Sequence, residues 1–465
     1  MEHKSCQLLI LGGGPGGYSC ALRAAQLGLD VVLIESATVG GTCLHAGCIP
    51  SKALIHVAQH YYHSHADGHL AEIGLKTAGV TLDWPCAQGW KDALVARLAG
   101  GVTGLLRSSK VQVVQGYGEL QDGKRCWVRT EPEGSVQQEY TTEHLVIAVG
   151  AQEIEIPGFA PSDDVLYAEQ ALTLGLLPAN LLVIGAGYIG VELGQTFARL
   201  GVRVTMVETA ERILPQWDAQ LTQPVHKRLV AEGVDLRLGC KALEYANGSV
   251  LLQSGDGREE SFEFDKVLVA VGRKPRLEGW GRSNVPLDLA AGCLRVNAQC
   301  RTSMAGVYAV GDVTGGPMLA HRAIAQGHVV AERVASRRRQ FDPVAIPAVC
   351  FSQPEIVSVG MTPVAARDHY PPDDVVVTRY PFTGNGRALT LRDGAGFVRV
   401  VSHREGQVLL GVQAVGHQVA ELAHGFTIAL EMGGCLEDIA AMALAHPTLG
   451  ESFADAAQAA IGLAE

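Results

Sequence analysis

No stretch of the chain reaches the roughly 18 uninterrupted apolar residues that a membrane span requires. The N-terminus has one early lysine and an apolar run broken at once by Gly12-Gly13-Gly14-Pro15, too short and too glycine-rich for a secretory signal peptide. Positive charge is not in excess either: 37 Lys and Arg stand against 48 Asp and Glu, a formal net charge of −11. That argues against non-specific nucleic-acid binding and against a polybasic membrane patch. A disulfide framework is also missing. The 11 cysteines are odd in number and scattered along 465 residues, which describes a reducing compartment and mostly buried thiols. The expectation is a cytoplasmic protein in which any disulfide is catalytic, with no metal site. What is present is core: apolar residues make up 47% and charged ones 18%, and the length suggests about three domains at roughly 150 residues each. The 55 glycines fit tight turns and close approaches of backbone to ligand.

The chain repeats itself. Residues 8–35 read LLILGGGPGGYSCALRAAQLGLDVVLIE and residues 181–208 read LLVIGAGYIGVELGQTFARLGVRVTMVE, with ten of 28 positions identical when laid together without gaps. Each copy has an apolar strand, then G-x-G-x-x-G, then a helical stretch, then a second strand that ends in Glu. The first glycine makes the strand-to-helix turn, the second lets backbone touch a pyrophosphate, and the third lets helix and strand pack closely. The helix N-terminus offers free N–H groups and a positive dipole end. The closing carboxylate, Glu35 or Glu208, hydrogen-bonds a ribose hydroxyl. Two complete copies predict two bound dinucleotides.

Residues 40–52 read GGTCLHAGCIPSK. In a regular helix Cys43 and Cys48, five apart, would be separated by roughly 8.7 Å between Cα atoms, whereas a disulfide wants less than about 7 Å. A bridge here therefore requires an irregular, tightened loop, for which Gly47 supplies backbone freedom. Pro50 suits the first turn of a helix, and Leu54, Val57, Ala58 and Tyr61 follow with helical spacing. The cysteines thus fall at or before a helix N-terminus, where the dipole lowers a thiol's pKa.

Taken together, these motifs resemble the pyridine nucleotide–disulfide oxidoreductases over essentially the whole chain. The residues that carry the likeness are GGGPGG at 12–17, GGTCLHAGCIPSK at 40–52, GAGYIG at 185–190, VGRKP at 271–275, TSMAGVYAVGD at 302–312, MLAH at 318–321 and AHPTLGE at 445–451. Ile49-Pro50-Ser51-Lys52 and the HPTLGE ending look like the branch that oxidises dihydrolipoyl groups. LIHVAQ at 54–59 and EMGGCLED at 431–438 look like the form serving a branched-chain 2-oxo acid complex. A mercury-reducing member would carry a second cysteine pair near the C-terminus, but no cysteine follows Cys435. A glutathione-type member prefers NADPH and lacks the acceptor Glu208. A flavoprotein acting only as a redox sensor would have no use for an intact set of reacting groups.

The resemblance implies an α/β fold with two Rossmann-like dinucleotide-binding domains and an α+β C-terminal dimerisation domain. It divides the chain into an FAD-binding domain with the redox disulfide (1–150), an NAD-binding domain (151–272), a central segment completing the FAD site (273–345) and an interface domain (346–465). FAD would be held by Gly12, Gly14, Gly17 and Glu35, with Gly41, Thr42, Lys52 and Gly118 near it and Asp312 and Ala320 completing the site. NAD would be held by Gly185, Ala186, Gly187, Tyr188, Ile189, Gly190 and Glu208, with Gly272 and Arg273 closing over it. A carboxylate at 208 favours NAD over NADP because it repels a 2′-phosphate. Cys43 is implied as the interchange thiol and Cys48 as the thiol nearer the flavin. Lys52 and Glu192 are implied as a pair beside the flavin. His446 reads as a base and Glu451 as its orienter, since a carboxylate on one ring nitrogen fixes the tautomer and raises the basicity of the other. The implied partners are a second copy of the chain and the lipoyl domain of a 2-oxo acid dehydrogenase complex acyltransferase. His45, Ala46 and Val149 depart from the family's usual Asn, Val and Thr, and none of the three removes a reacting group.

Overall fold

The first glycine fingerprint sits where the strand Glu2–Leu11 gives way to the helix Pro15–Gln26. This computed structural model describes residues 2–65, 73–76 and 79–463. Glu2–Leu11 lies between Val31–Glu35 and Val136–Ile147 and runs parallel to both. Leu8, Leu9, Ile10 and Leu11 are all buried, as expected of a parallel strand covered on both faces. Gln112–Gln115 extends the parallel edge, while Arg125–Arg129 and Tyr117–Leu120 close the other side antiparallel. A further strand, Val307–Ala309, joins this sheet beside Val136–Ile147 although it comes from far along the chain. The helix that follows it, Ala320–Val334, shares a core with Pro15–Gln26 through Val329, Val330, Cys20 and Ala24. The two helices cross at glycines: a Cβ on Gly327 would lie 2.5 Å from the Gly16 carbonyl oxygen.

The second fingerprint repeats the arrangement in a separate sheet. Asn180–Ile184 is flanked in parallel by Arg203–Glu208 and Lys266–Val269, with Asp235–Leu238 and Val165–Leu166 at the edges. The segment between the two fingerprints also builds this unit. It contributes the strand Val165–Leu166 and the helix Ala168–Leu172, both too short for their periodicity to register in the sequence. An antiparallel meander, Lys241–Ala246, Ser249–Gln253 and Glu259–Glu263, lies over this sheet and shares its core. A two-stranded ladder of Ala151–Glu153 with Arg273–Pro275 links the approaches to and from this unit.

The C-terminal unit is α+β. Its antiparallel sheet runs in the order Ala348–Cys350, Glu355–Gly360, Leu409–Gly416, Phe397–His403, Val375–Pro381. Helices Ala423–Glu431, Leu436–Ala440 and Glu451–Ala460 pack on it around Phe426, Leu430, Ala456 and Ala457. One apolar cluster ties everything together at the place that matters for chemistry. It joins Leu54 and Ala58 of the helix after the cysteines, Leu193 and Phe197 of the helix after the second fingerprint, and Cys350, Ile356 and Val415 of the C-terminal sheet. Among the described residues no helix is long and apolar enough to cross a membrane. The basic run Arg337–Arg339 lies exposed outside regular structure.

Candidate active site

The two nucleotide folds match in detail. Gly12 and Gly185 take φ of +103° and +98°, a region where a side chain is strained. A Cβ on Gly17 would meet the Gly12 carbonyl oxygen at 1.9 Å, and one on Gly190 would meet that of Gly185 at 1.9 Å, so the third glycine is what allows the helix to sit so close to its strand. The helices Pro15–Gln26 and Tyr188–Arg199 begin at Gly14 and Gly187 without a side-chain cap. Their first N–H groups therefore remain available, the condition for gripping a pyrophosphate. Glu35 accepts from Gly13 N at 2.6 Å and from Ala37 N at 2.8 Å; Glu208 accepts from Ala186 N at 2.8 Å and from Ala210 N at 2.9 Å. Each carboxylate is thus fixed by backbone amides of its own fingerprint. Gly41, with φ of +62°, leans on Gly14 so closely that a Cβ there would lie 2.6 Å from the Gly14 Cα. The cysteine loop accordingly starts against the first fingerprint, with Thr42 exposed beside it.

The cysteine segment is a broken helix. Gly41–His45 forms one short turn, the chain breaks at Ala46–Gly47, and Cys48–His65 starts the long helix. The irregularity expected between the cysteines is therefore this break, while Cys43 itself sits inside a helical turn. His45 steadies the segment by bonding the Val39 carbonyl at 3.0 Å. Cys43 is half-buried and Cys48 exposed, and both are free thiols. The two thiols act on each other: a hydrogen bond from Cys43 is the largest cause pulling the Cys48 pKa down to about 7, while partial desolvation opposes the shift and the Lys52 ammonium assists it. The same hydrogen bond, reinforced by burial, pushes the Cys43 thiol up. The two thiols are thus shifted in opposite directions, and Cys48, at the N-terminus of a long helix, is the one favoured as a thiolate.

Lys52, one turn after Cys48, reaches Glu192 with Nζ 2.8 Å from Oε2. The carboxylate is almost wholly buried. Burial works against the Lys52 ammonium, but Glu192 outweighs it and the net shift is upward. The pair that the resemblance implied therefore forms between the helix Cys48–His65 and the helix Tyr188–Arg199. Tyr188, from the second fingerprint, sits over the same region: burial pushes its phenol up to about 12, and Glu192, Arg273, Asp312 and Cys48 all act on it. Asp312 is raised by burial, opposed by Arg273 and Arg322. Arg273 bonds the Ala151 carbonyl at 2.8 Å, and Gly272 before it takes φ of +118°. Ala320 opens a helix that has no side-chain cap. Gly118 is buried, and a Cβ there would strike Leu11 Cδ1 at 2.3 Å, so packing within the sheet already requires glycine at that position.

The residues expected to act as a base and its orienter also meet. Glu451 Oε1 lies 2.8 Å from His446 Nδ1, and Oε2 accepts from Thr448 N at 2.7 Å. The Thr448 amide first, then His446, hold the Glu451 carboxyl below its ordinary value. His446 Nε2 is left to the outside, on a side chain 79% exposed. Among the described residues nothing bonds His446 to the cysteines of its own chain.

Sequence reasoning missed the residues that lock the site from the C-terminal side. Phe351 N donates to Glu192 Oε1 at 2.8 Å, and Gln353 and Gln195 exchange two hydrogen bonds at 2.7 and 2.9 Å. Tyr18, one helical turn past Gly14, lies close enough for Cys43 and Cys48 to act on its phenol. Phe351 belongs to no motif with recognisable spacing, and Tyr18, though it follows the third glycine of the first fingerprint, has no counterpart in that motif's own logic, so no local signal marks either of them. Among the described residues no group of three or more His, Cys, Asp or Glu is gathered for a metal ion.

Comparison with known proteins gives one answer by sequence and structure. Residues 6–327 match the pyridine nucleotide-disulphide oxidoreductase family, and residues 346–457 match the dimerisation domain of the same family. Dihydrolipoyl dehydrogenase of Pseudomonas aeruginosa is 48% identical, over 98% of this chain and 97% of the relative. The enzyme of that name from Geobacillus stearothermophilus is 40% identical, over 98% and 96%. Among solved structures, LpdA from Mycobacterium tuberculosis superposes with a TM-score of 0.88 at 27% identity, covering 99% of each chain. The HOCl-induced flavoprotein disulfide reductase RclA from Escherichia coli superposes at 0.85 and 26% identity, covering 97% of this chain and 99% of that one.

Proposed function

Because the chain belongs to the pyridine nucleotide-disulphide oxidoreductases, we propose that it oxidises protein-bound dihydrolipoyl-lysine to lipoyl-lysine and reduces NAD⁺ to NADH. This is dihydrolipoyl dehydrogenase activity, as its relatives are named. The observation that carries the reading is the thiol pair Cys43 and Cys48 at the start of a long helix, one turn before Lys52 and its 2.8 Å ion pair with Glu192. FAD and NAD(H) are the cofactors of the family, and the residues present fit both. Gly12, Gly14, Gly17 and Glu35, with Gly41, Thr42, Lys52, Gly118, Asp312 and Ala320, would hold FAD. Gly185 to Gly190, Glu208, Gly272 and Arg273 would hold NAD. When bound, FAD supplies the two-electron relay from the thiol pair to the nicotinamide.

The chain's own residues perform the thiol chemistry. With Cys43 and Cys48 joined as a disulfide, His446 Nε2 takes the proton of one substrate thiol. The thiolate attacks Sγ of Cys43, the Cys43–Cys48 bond breaks, and Cys48 leaves as a thiolate. The second substrate thiol then attacks the substrate sulfur of the mixed disulfide, so that lipoyl disulfide departs and Cys43 is released. One proton ends on Cys43 and the other leaves through His446. Cys43 S–H bonded to a Cys48 thiolate is the product of this half-reaction, and the helix N-terminus and Lys52 stabilise it.

His446 stands exposed and apart from its own cysteines, and residues 346–457 match a dimerisation domain. Both support a homodimer in which each His446 serves the disulfide of the other copy. The partner in turnover is the lipoyl domain of a 2-oxo acid dehydrogenase complex acyltransferase. Six isolated cysteines are buried as thiols, which supports a cytoplasmic, reducing location. Cys48→Ser is expected to abolish turnover of dihydrolipoamide with NAD⁺ while the purified protein keeps its flavin; turnover at the unmodified rate would overturn the reading.

A further inference from the structure

Three remote segments meet at one carboxylate. Glu192, on the helix after the second fingerprint, gives Oε2 to Lys52 at 2.8 Å and Oε1 to the amide of Phe351 at 2.8 Å. The Phe351 ring then lies under the ammonium, with Lys52 Nζ 4.5 Å from its centroid. The same residue therefore holds both members of the ion pair, the anion by its backbone and the cation by its ring. Phe351 is itself held in place. Two residues later, Gln353 N donates to Gln195 Oε1 at 2.7 Å, and Gln195 Nε2 returns a bond to the Gln353 carbonyl at 2.9 Å. Gln195 is anchored in turn by Glu232, which forms a buried pair with Arg199. Gln195 and Gln353 are both buried, so these bonds are shielded from competing water.

We infer that Phe351 is a positioning residue for the thiol chemistry: the loop Phe351–Gln353, brought by the C-terminal domain, fixes the Lys52–Glu192 pair and so holds the ammonium beside Cys48. The geometry also explains why a lysine with four rotatable bonds keeps one position. Its ammonium has a carboxylate on one side and an aromatic face on another, and the two together restrict where it can sit. This inference rests on the function proposed above. Without the ring, Lys52 is freed to swing toward solvent and Cys48 loses part of the field that favours its thiolate.

The test uses the FAD-bound dimer reduced anaerobically by two electrons, in which a Cys48 thiolate beside the flavin gives a long-wavelength charge-transfer absorption. Its pH midpoint reads the Cys48 thiol. The charged and titratable groups acting there are Cys43, Lys52 and Glu192, with Tyr18 and Tyr188 opposite. Phe351→Leu keeps the amide and removes the ring. It is expected to move the midpoint up by roughly half a pH unit, because an ammonium held less closely beside Cys48 favours its thiolate less. Phe351→Tyr, which restores the aromatic face, is expected to return it to the wild-type position. An unchanged midpoint in Phe351→Leu overturns the inference, as does a Phe351→Tyr midpoint that stays with the Leu variant. Absence of the band in the wild type is a different failure, that of the proposed function itself.

Discussion

Glu451→Gln is the substitution in which the geometry makes the sharpest demand. Both carboxylate oxygens are committed, Oε1 to His446 Nδ1 and Oε2 to the Thr448 amide. Thr448 N is a donor and needs an acceptor, so in the variant the Gln carbonyl oxygen must face it. That leaves the Gln NH₂ pointing at His446 Nδ1, where a second donor cannot accept the ring's own N–H. The imidazole must switch tautomer, making Nδ1 the acceptor and moving the proton to Nε2. Nε2 is the nitrogen that should take the substrate's proton, and in this tautomer it cannot. The shape of the side chain is preserved and only the direction of one hydrogen bond is reversed. A correctly poised general base is worth about 10² to 10⁴ in rate, which is about 3–5 kcal/mol on the barrier. Stopped-flow reduction of the oxidised enzyme by dihydrolipoamide should slow by that factor, whereas reduction by NADH, which needs no proton taken at His446, should keep its rate. His446→Gln should lose about as much, and the double variant little more than either, because the two residues act as one unit. A Glu451→Gln enzyme within a few-fold of wild type in the thiol half-reaction would refute the reasoning.

Two other outcomes follow from the same geometry. The Cys48 pKa is lowered, to about 7, so its thiolate is present above that pH and is lost as pH falls through it. The charge-transfer absorption of the reduced enzyme should fade on acidification through neutrality, and Cys43→Ala, which removes the largest cause of the shift, should move that midpoint upward in a spectrophotometric titration. Gly190→Ala places a Cβ 1.9 Å from the Gly185 carbonyl oxygen and must push the helix away from its strand. Steady-state kinetics should show the KM for NAD⁺ raised by about tenfold or more, the cost of about 1.4 kcal/mol or greater in binding, while flavin content stays at the wild-type level.

The parts of this molecule that were legible in the sequence are those whose physics is local. A glycine forced into positive φ, a helix N-terminus left bare for phosphate and a carboxylate at a strand end all occur within some 25 residues and repeat, and both folds are found where the repeat puts them. The cysteine loop was legible in its demand for an irregular backbone, though not in the form of two helices broken at Ala46–Gly47. His446 and Glu451 are close in sequence and close in space. What stayed hidden depends on contacts between distant segments. The strand Val307–Ala309 enters the first sheet, the short strand Val165–Leu166 borders the second, and Phe351 meets Glu192 across 159 positions. No periodicity or motif announces such contacts, since each is decided by how finished units dock. Lys52 and Glu192 fall between the two cases: resemblance paired them, but only the fold reveals that a third segment holds them.

The central claim is that a reducible pair of sulfurs relays electrons from a dithiol to a nicotinamide by way of the flavin. The most direct measurement is anaerobic addition of one equivalent of dihydrolipoamide to the purified, FAD-bound, oxidised protein at pH 8, followed by NAD⁺, with the visible spectrum recorded throughout. A long-wavelength absorption is expected at the two-electron stage, with its disappearance on adding NAD⁺ and one equivalent of NADH formed. A flavin that bleaches fully with no such band, or a spectrum that dihydrolipoamide leaves unchanged, would contradict that claim.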